Sequence, residues 1–529
     1  MSAFVGTGQL LRLALRRDRT LLPVWIALFA GMGAISASAT LGLYPTEQSR
    51  VIAATAANAT PSLVAMYGPI YDPTSLGALS MLKMTVLGAA MVAILMSMLT
   101  IRHTRAEEDA GRLELVQAGV VGRAAPLAAA LGLTFSASVV LGLLTALGLI
   151  AVGLPVAGSL AFGASWAVVG IAFAAIAGIA AQFTRSARAA NGISLTVLAA
   201  AYLIRAAADG SNSLTWASWL SPLGIGQQVR AYAGDRWWAA ALLLATGGGL
   251  AAAAFALNSR RDLGAGILLE RAGPAVAGTG LGSPLGLAWR LQRGALLGWL
   301  VAFVIFGSLL GNLASTASAM LDTPQVRDLF AKLGTSGALT DSFLAAEMRI
   351  VGLIAAAYAI QAAMRLHSEE VTTHAETVLA TGTSRIRWAG SHIAIAILGS
   401  AVLLVAAGVS AGAAHAVHVD DWAQVGRVTA GAAVGVPAVW VLVGVVVLIF
   451  GFLPRLAWLA WAVLIFFVLL GEFGELLKVP QPAMDISPFT HVPKLPGGQF
   501  TATPLIVMTL VAVVLVVAGL VGFRRRDLL

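Results

Sequence analysis

The sequence predicts an all-α integral membrane protein, with twelve transmembrane helices arranged as two tandem, parallel six-helix units. Three observations predict it. Apolar residues make up 59% of the 529-residue chain and charged residues 11%, where a soluble domain has about 45–50% and about 25%. The apolar residues lie in continuous runs of about 20, the length that crosses a hydrocarbon core about 30 Å thick as a helix, and not in the alternation of a membrane β-barrel. The two halves of the chain also resemble one another, as set out below.

In chain order, the first unit (1–262) opens on SAFVGTGQLLRLALRRDRTLLPVW, with Arg12, Arg16, Arg17 and Arg19 set among leucines. That mixture fits an amphipathic helix on the membrane surface, and equally the basic flank of a first span. No cleavable signal peptide is evident. Spans are expected at 21–41, 77–101, 125–153, 160–183, 189–208 and 237–258; the fifth, with Asn191 and Arg205, is the least apolar. A linker rich in Gly, Ala and Pro (263–283) leads to the second unit (284–529). Its spans are expected at 295–320, 342–366, 389–415, 425–450, 456–477 and 503–523.

With the N-terminus cytoplasmic, the inner segments collect 22 of the 33 Lys and Arg residues, as the positive-inside rule requires. Both termini are then expected in the cytoplasm of a multi-pass protein of the plasma (inner) membrane. The net charge of +9 is accounted for by attraction to the anionic leaflet, so membrane lipid is the expected partner and nucleic acid is not. The chain has no cysteine, which excludes disulfides and thiolate metal sites.

Four anchors carry the internal repeat. LALRRDRTLLPVW (13–25) aligns with LAWRLQRGALLGW (287–299), and EEDAGRLELVQAGVVGR (107–123) with EEVTTHAETVLATGTSR (369–385). Ser221-Pro222 aligns with Ser487-Pro488, and RRDL at 260–263 with RRDL at 525–528. The offsets are 274, 262, 266 and 265 residues. Six spans per unit is an even number, so both units share one orientation.

The segment from Arg105 to Arg123 is the most charged stretch between two apolar runs, and it follows the second span of its unit. As a single helix it would place Glu107, Gly111 and Glu114 on one face and Leu113, Val116 and Val120 on an apolar stripe. Glu108 would pair with Arg112 at i,i+4, as Glu370 would with His374. An acid face turned outward suits docking to a soluble partner; a solvated loop helix without a partner is the alternative. Duplication at matching positions favours docking.

Two six-span units, each with an acidic EE…E helix between spans 2 and 3 and each closing on RRDL, resemble ABC-2 type permeases. Those are the membrane subunits of type V ABC exporters. The fused double unit is similar to actinobacterial permeases of polyketide-antibiotic and multidrug exporters. The resemblance implies that the acidic segments are coupling helices and the N-terminal stretch an elbow helix. Glu107, Glu108, Gly111 and Glu114 would then contact one ATPase, and Glu369, Glu370 and Glu376 another. Thr373 and His374 stand where the first copy has Gly111 and Arg112, which sets the two docking sites apart. The resemblance further implies two copies of a separate ABC ATPase, with ATP and Mg bound there and no cofactor in this chain. The chain would be a transport subunit and not an enzyme, exporting hydrophobic or amphipathic small molecules such as antibiotics and drugs. In keeping with this, the sequence has no GxxxxGK[ST] phosphate loop and no soluble stretch large enough for a nucleotide domain. The competing class is a twelve-span ion-coupled drug transporter, which would carry carboxylates near the bilayer midplane. An integral-membrane enzyme has no supporting motif.

Some polar residues remain. Lys83 and Arg349 occupy equivalent outer positions, Glu347 lies two residues before Arg349, and Glu472 and Glu475 lie near the outer end of the span 456–477. On the same side, the fifth span offers Arg205 and Asp209. These groups either line the outer end of a translocation path or snorkel and pair between spans. Met81, Met84, Met91, Met96 and Met98 crowd the second span, as adaptable ligand contacts or as ordinary filler. His415, His418, Asp420 and Asp421 are expected in an exposed outer loop rather than at a metal. Trp216, Trp219, Trp237 and Trp238 fit an interfacial aromatic belt. Residues 67–77 and 487–500 read as outer re-entrant or cap segments.

Overall fold

The computed structural model describes residues 2–527 except 60, 211–213, 263, 269–274, 277, 321–337 and 474–479. The described residues form helices, turns and coil, with no strand among them. Among the described residues, eleven helices are long and apolar enough to cross a membrane, so the protein is an all-α, multi-pass membrane protein. The described part of the expected span 456–477 includes a shorter helix, Leu459–Phe473, of 15 residues. The chain divides into two compact units, Met1–Ala272 and Gly273–Leu529.

In the first unit an amphipathic helix α1 (Thr7–Arg17) precedes the first span, α2 (Leu21–Leu43). Three shorter helices, α3 (Glu47–Asn58), α4 (Pro61–Tyr67) and α5 (Leu76–Ser80), follow. A π-helical turn at Met84–Gly88 leads into α6 (Ala89–Arg102). After two short helices, α7 (Arg105–Asp109) and α8 (Arg112–Gln117), come α9 (Ala125–Ala151), α10 (Val156–Phe183) and α11 (Ala187–Asp209). The short α12 (Pro222–Gln227) and the last span, α13 (Trp237–Asn258), complete the unit.

Helix α10 is the hub, packed against α6, α9, α11 and α13. It is apolar on every face, as a helix enclosed by others must be. Small residues let its neighbours approach: a Cβ on Gly142 would meet the Gly163 carbonyl oxygen at 2.4 Å, and one on Gly163 would meet that of Gly142 at 2.2 Å. Trp166, Phe162 and Phe173 fill the core between them. The polar fifth span stands because its charge is satisfied inside the unit. Arg205 is fully buried and donates to the carbonyls of Ala65 at 2.7 Å and Met66 at 3.2 Å, at the end of α4. It also pairs with Asp209 at 3.2 Å. A cation on the last carbonyls of a helix is favoured by their partial negative charge. The 67–77 stretch is closed over this site by Asn58, which brackets the backbone of Ile70 with bonds of 2.9 and 2.8 Å.

The second unit opens on a single 37-residue helix, α14 (Pro284–Met320), followed by α15 (Ala338–Ala363). Two short helices, α16 (Arg365–Val371) and α17 (His374–Leu379), precede the 35-residue α18 (Arg385–Val419). Then come α19 (Ala423–Ala433), α20 (Val436–Phe452), α21 (Leu459–Phe473), the short α22 (Gln481–Met484) and α23 (Ala502–Arg525). Helix α18 packs on α14, and α20 on α23. One expectation is corrected: α18 runs on to Val419, so His415 is a buried and His418 an exposed helical residue, and neither is part of a loop. The repeat is visible in the packing. Trp25 stacks on Phe29 at 5.7 Å, and Trp299 meets Phe303 edge-on at 6.0 Å.

Candidate functional site

The segment from Arg105 to Arg123 is not one helix. It breaks after α7 at Ala110, and Gly111 takes a left-handed conformation (φ 71°) before α8. Its copy breaks the same way, between α16 and α17, with Thr373 at φ 61°. The continuous face of Glu107, Gly111 and Glu114 is therefore corrected to two short helices meeting at an angle. Such a break is easy at glycine, which has no Cβ to clash in this region; for β-branched Thr373 it is strained.

The break redirects the acids. The expected i,i+4 pairs Glu108–Arg112 and Glu370–His374 do not form, because an i,i+4 pair needs an uninterrupted helix. Arg112 turns back to Glu107 instead, with bonds of 2.7 and 3.0 Å. Arg17 of α1 also pairs with Glu107. This site lies past the end of α6 at Arg102. The hydrogen bonds from Arg112 and then Arg17 outweigh partial burial and bring the Glu107 carboxyl down to about 2, so it stays ionised at neutral pH.

Glu108 points inward and is 7% exposed. Arg261 of the RRDL motif grips it with two parallel bonds, Nη1–Oε1 at 2.6 Å and Nη2–Oε2 at 2.8 Å. The backbone N–H of Gly264 donates to Oε1 at 2.6 Å, and Arg105 adds a contact at 3.0 Å. Arg105 is itself fully buried and donates to the Ala181 carbonyl near the end of α10 at 2.8 Å. Arg123 at the far end of the segment donates to the Arg261 carbonyl.

The second unit repeats the clamp with Glu370, Arg526 and Arg385 at the matching positions. Glu370 is 2% exposed and is gripped by Arg526 of the second RRDL, with both bonds at 2.6 Å. Arg385 donates to the Arg526 carbonyl at 2.5 Å. Glu369 is buried as well, paired with Arg365 at 2.5 Å and 3.7 Å from His374. Arg526 additionally lies over Phe450 and Phe523, at 5.0 and 5.2 Å from the ring centroids. Sequence reasoning placed these acids on an outward docking face. Folding places Glu108, Glu369 and Glu370 inside. Of the acids expected on that face, Glu114, beside Leu115 (79% exposed), and Glu376, beside Thr377, remain exposed.

Comparison with known proteins places this architecture. Residues 281–524 match the model of the C-terminal domain of the multidrug efflux system permease Rv1217c. The chain is 43% identical over 530 aligned residues to the multidrug efflux system permease protein Rv1217c of Mycobacterium tuberculosis, covering 99% of this chain and 96% of that one. The chain belongs to the Rv1217c family of multidrug efflux permeases. A resemblance first read from short repeated anchors is thus matched over essentially the whole length.

The permease distributes its other expected site residues as follows. Lys83 is exposed immediately before the π-helical turn. On α15, Arg349 is exposed and Glu347 half-buried. Glu475 lies outside the described residues, as does the side chain of Glu472. Met84 is half-buried, and its carbonyl accepts the Trp166 indole N–H at 3.2 Å. Met91 is 40% exposed, whereas Met81 and Met96 belong to the core. Arg205 and Asp209 serve α4 and α11, with Gln227 donating to Asp209 at 2.9 Å. Trp219 stacks on Trp238 at 5.2 Å, and Trp216 and Trp237 are exposed. Among the described residues no three His, Asp or Glu groups are arranged to hold a metal ion. Sequence reasoning missed the inward partners Arg105, Arg261 and Arg526. The available signal was the repetition of oppositely charged anchors, EE and RR, in both units.

Proposed function

We propose that this permease is the membrane subunit of an ATP-driven ABC exporter. It moves hydrophobic or amphipathic small molecules, such as drugs and antibiotics, out across the plasma membrane. Its termini and the two broken-helix segments are cytoplasmic, the side on which the basic residues gather. Each segment receives one copy of a separate ABC ATPase, which holds the ATP and Mg; the permease has no nucleotide chemistry of its own. The observation that carries the reading is the duplicated broken helix, with Glu114 in one unit and Glu376 in the other exposed at the same step of the second short helix. Such a paired, water-facing feature on an otherwise lipid-adapted chain suits two soluble subunits. The name of its Mycobacterium tuberculosis relative supports the drug-efflux part.

The test is co-expression with the candidate ATPase, followed by co-purification and reconstitution in vesicles. ATPase should co-purify with the wild type, and drug should stimulate hydrolysis. Charge reversal at both positions, Glu114→Lys with Glu376→Lys, should reduce ATPase association at least tenfold while leaving the permease folded. Efflux driven by a proton gradient alone, with no ATPase bound, would overturn the reading in favour of an ion-coupled transporter.

A further inference from the structure

We infer that Arg261 and Arg526 are positioning residues for coupling: each ties its unit's ATPase-facing segment to the end of that unit's last span. This rests on the proposal that those segments receive ATPase. Helix α13 ends at Asn258, three residues before Arg261, and α23 ends at Arg525, one residue before Arg526. From there each guanidinium reaches a carboxylate 153 or 156 residues away in the chain, Glu108 or Glu370. The backbone carbonyl of the same arginine accepts from a residue at the entry to the following span, Arg123 two residues before α9 or Arg385 at the start of α18. One residue therefore joins three places: the exit of span 2, the entry of span 3 and the end of the last span.

Three features make this more than a surface ion pair. The bonding is bidentate, which fixes orientation as well as distance. The carboxylates are buried, so the pair is little screened by salt. And Glu108, Arg123 and Arg261 are identical in kind to Glu370, Arg385 and Arg526, although most of the intervening exposed positions differ between the copies. A push on α8 or α17 is therefore delivered to the last span of the unit directly, and not only along the helix it follows.

The two arms differ in what surrounds them. Arg261 is also held by Gln182 of α10 at 2.6 Å, whereas Arg526 rests on two aromatic rings. The first arm thus reaches α10 through a hydrogen bond, and the second packs on Phe450 of α20 and Phe523 of α23.

The decisive experiment measures ATPase association, drug-stimulated hydrolysis and efflux per ATP in the reconstituted complex. Arg261→Gln and Arg526→Gln should keep ATPase association but lose drug stimulation and cut efflux per ATP at least tenfold. Arg261→Lys, which keeps the charge but not the fork, should fall between. Because a single neutralisation strands a buried carboxylate, and Glu108 also holds the buried Arg105, the paired variant is made in the second unit, Glu370→Gln with Arg526→Gln; it removes both charges of that clamp and should fold, yet remain uncoupled. The swap Glu370→Arg with Arg526→Glu should recover coupling. Wild-type efflux per ATP in the folded paired variant would overturn the inference while leaving the ABC reading intact. A wild-type permease that binds no ATPase would overturn the ABC reading and the inference with it.

Discussion

The two units are built on one plan but are fastened differently where the first span begins. In the first unit, α1 is a separate helix, and the chain turns at Asp18 before α2. Asp18 is fully buried and holds Arg102 at 3.1 Å and His103 at 2.5 Å. Residues before α1 bond to the exit of the acidic segment, Gly122 to Val5 and Ala124 to Ala3, both at 2.9 Å. In the second unit the corresponding stretch runs straight into the span as α14. Gln292 takes the place of Asp18 and makes a single side-chain bond, 3.0 Å, to His392. The first unit joins its N-terminal helix to the acidic segment through charge; the second makes its joint with the neutral Gln292–His392 bond. Duplicated sequences can thus keep an internal clamp while diverging at the contacts around it.

This comparison can be broken by substitution, and the largest effect is expected at Asp18. Asp18→Ala removes a fully buried carboxylate from both Arg102 and His103, and a hydrogen bond to a charged group is worth about 1.5–3 kcal/mol. Gln292→Ala removes one neutral hydrogen bond, worth about 1 kcal/mol. Thermal unfolding of the two variants in the same detergent should show a several-fold larger shift for Asp18→Ala. Equal shifts would mean that the two joints bear the same load after all.

The hinge of the acidic segment comes next in size. Thr373 holds a left-handed conformation that Gly111 adopts freely, and strain of this kind costs on the order of 1–3 kcal/mol. Thr373→Gly should stabilise the second unit by about 1 kcal/mol, the freer unfolded chain offsetting part of the relief. Gly111→Thr should destabilise the first by a similar amount. The signs are read from unfolding midpoints, and two changes of the same sign would remove strain as the distinction between the hinges.

The smallest effect belongs to the outermost pair. Arg112→Ala should leave the unfolding midpoint almost unchanged, as loss of an exposed ion pair does, and any shift should shrink in high salt. Glu107 has a folded pKa of about 2 against an ordinary 4.5. Its contribution is therefore complete above the ordinary value and is lost progressively as pH falls from there through about 2. A stability titration from pH 7 to pH 5 should show no change in this pair's contribution; a loss within that range would contradict the assigned partners.

Much of the fold was legible in the sequence because it depends on local composition. The spans are apolar runs, and even the polar fifth span appeared as the helix Ala187–Asp209. The site was less legible. The i,i+4 pairing of Glu108 with Arg112 assumed an unbroken helix. The Gly in EEDAGR could have warned of a helix end, but its counterpart is Thr373, which carries no such signal. Nor does sequence spacing connect Glu108 with Arg261, because that bond closes only when α7 and the end of α13 are packed together. The identities between the copies were therefore detected correctly but read as a docking face. Several of them are fastenings inside each unit, and the more divergent, exposed residues face water.

By itself, then, the sequence determined that this is a two-unit helical membrane protein with matched charged segments, since hydrophobic run length and internal identity require no knowledge of packing. Only the tertiary structure decided which acids turn inward and which remain available to a partner. A carboxylate can be buried only where a guanidinium meets it, and here that guanidinium arrives from more than 150 residues away.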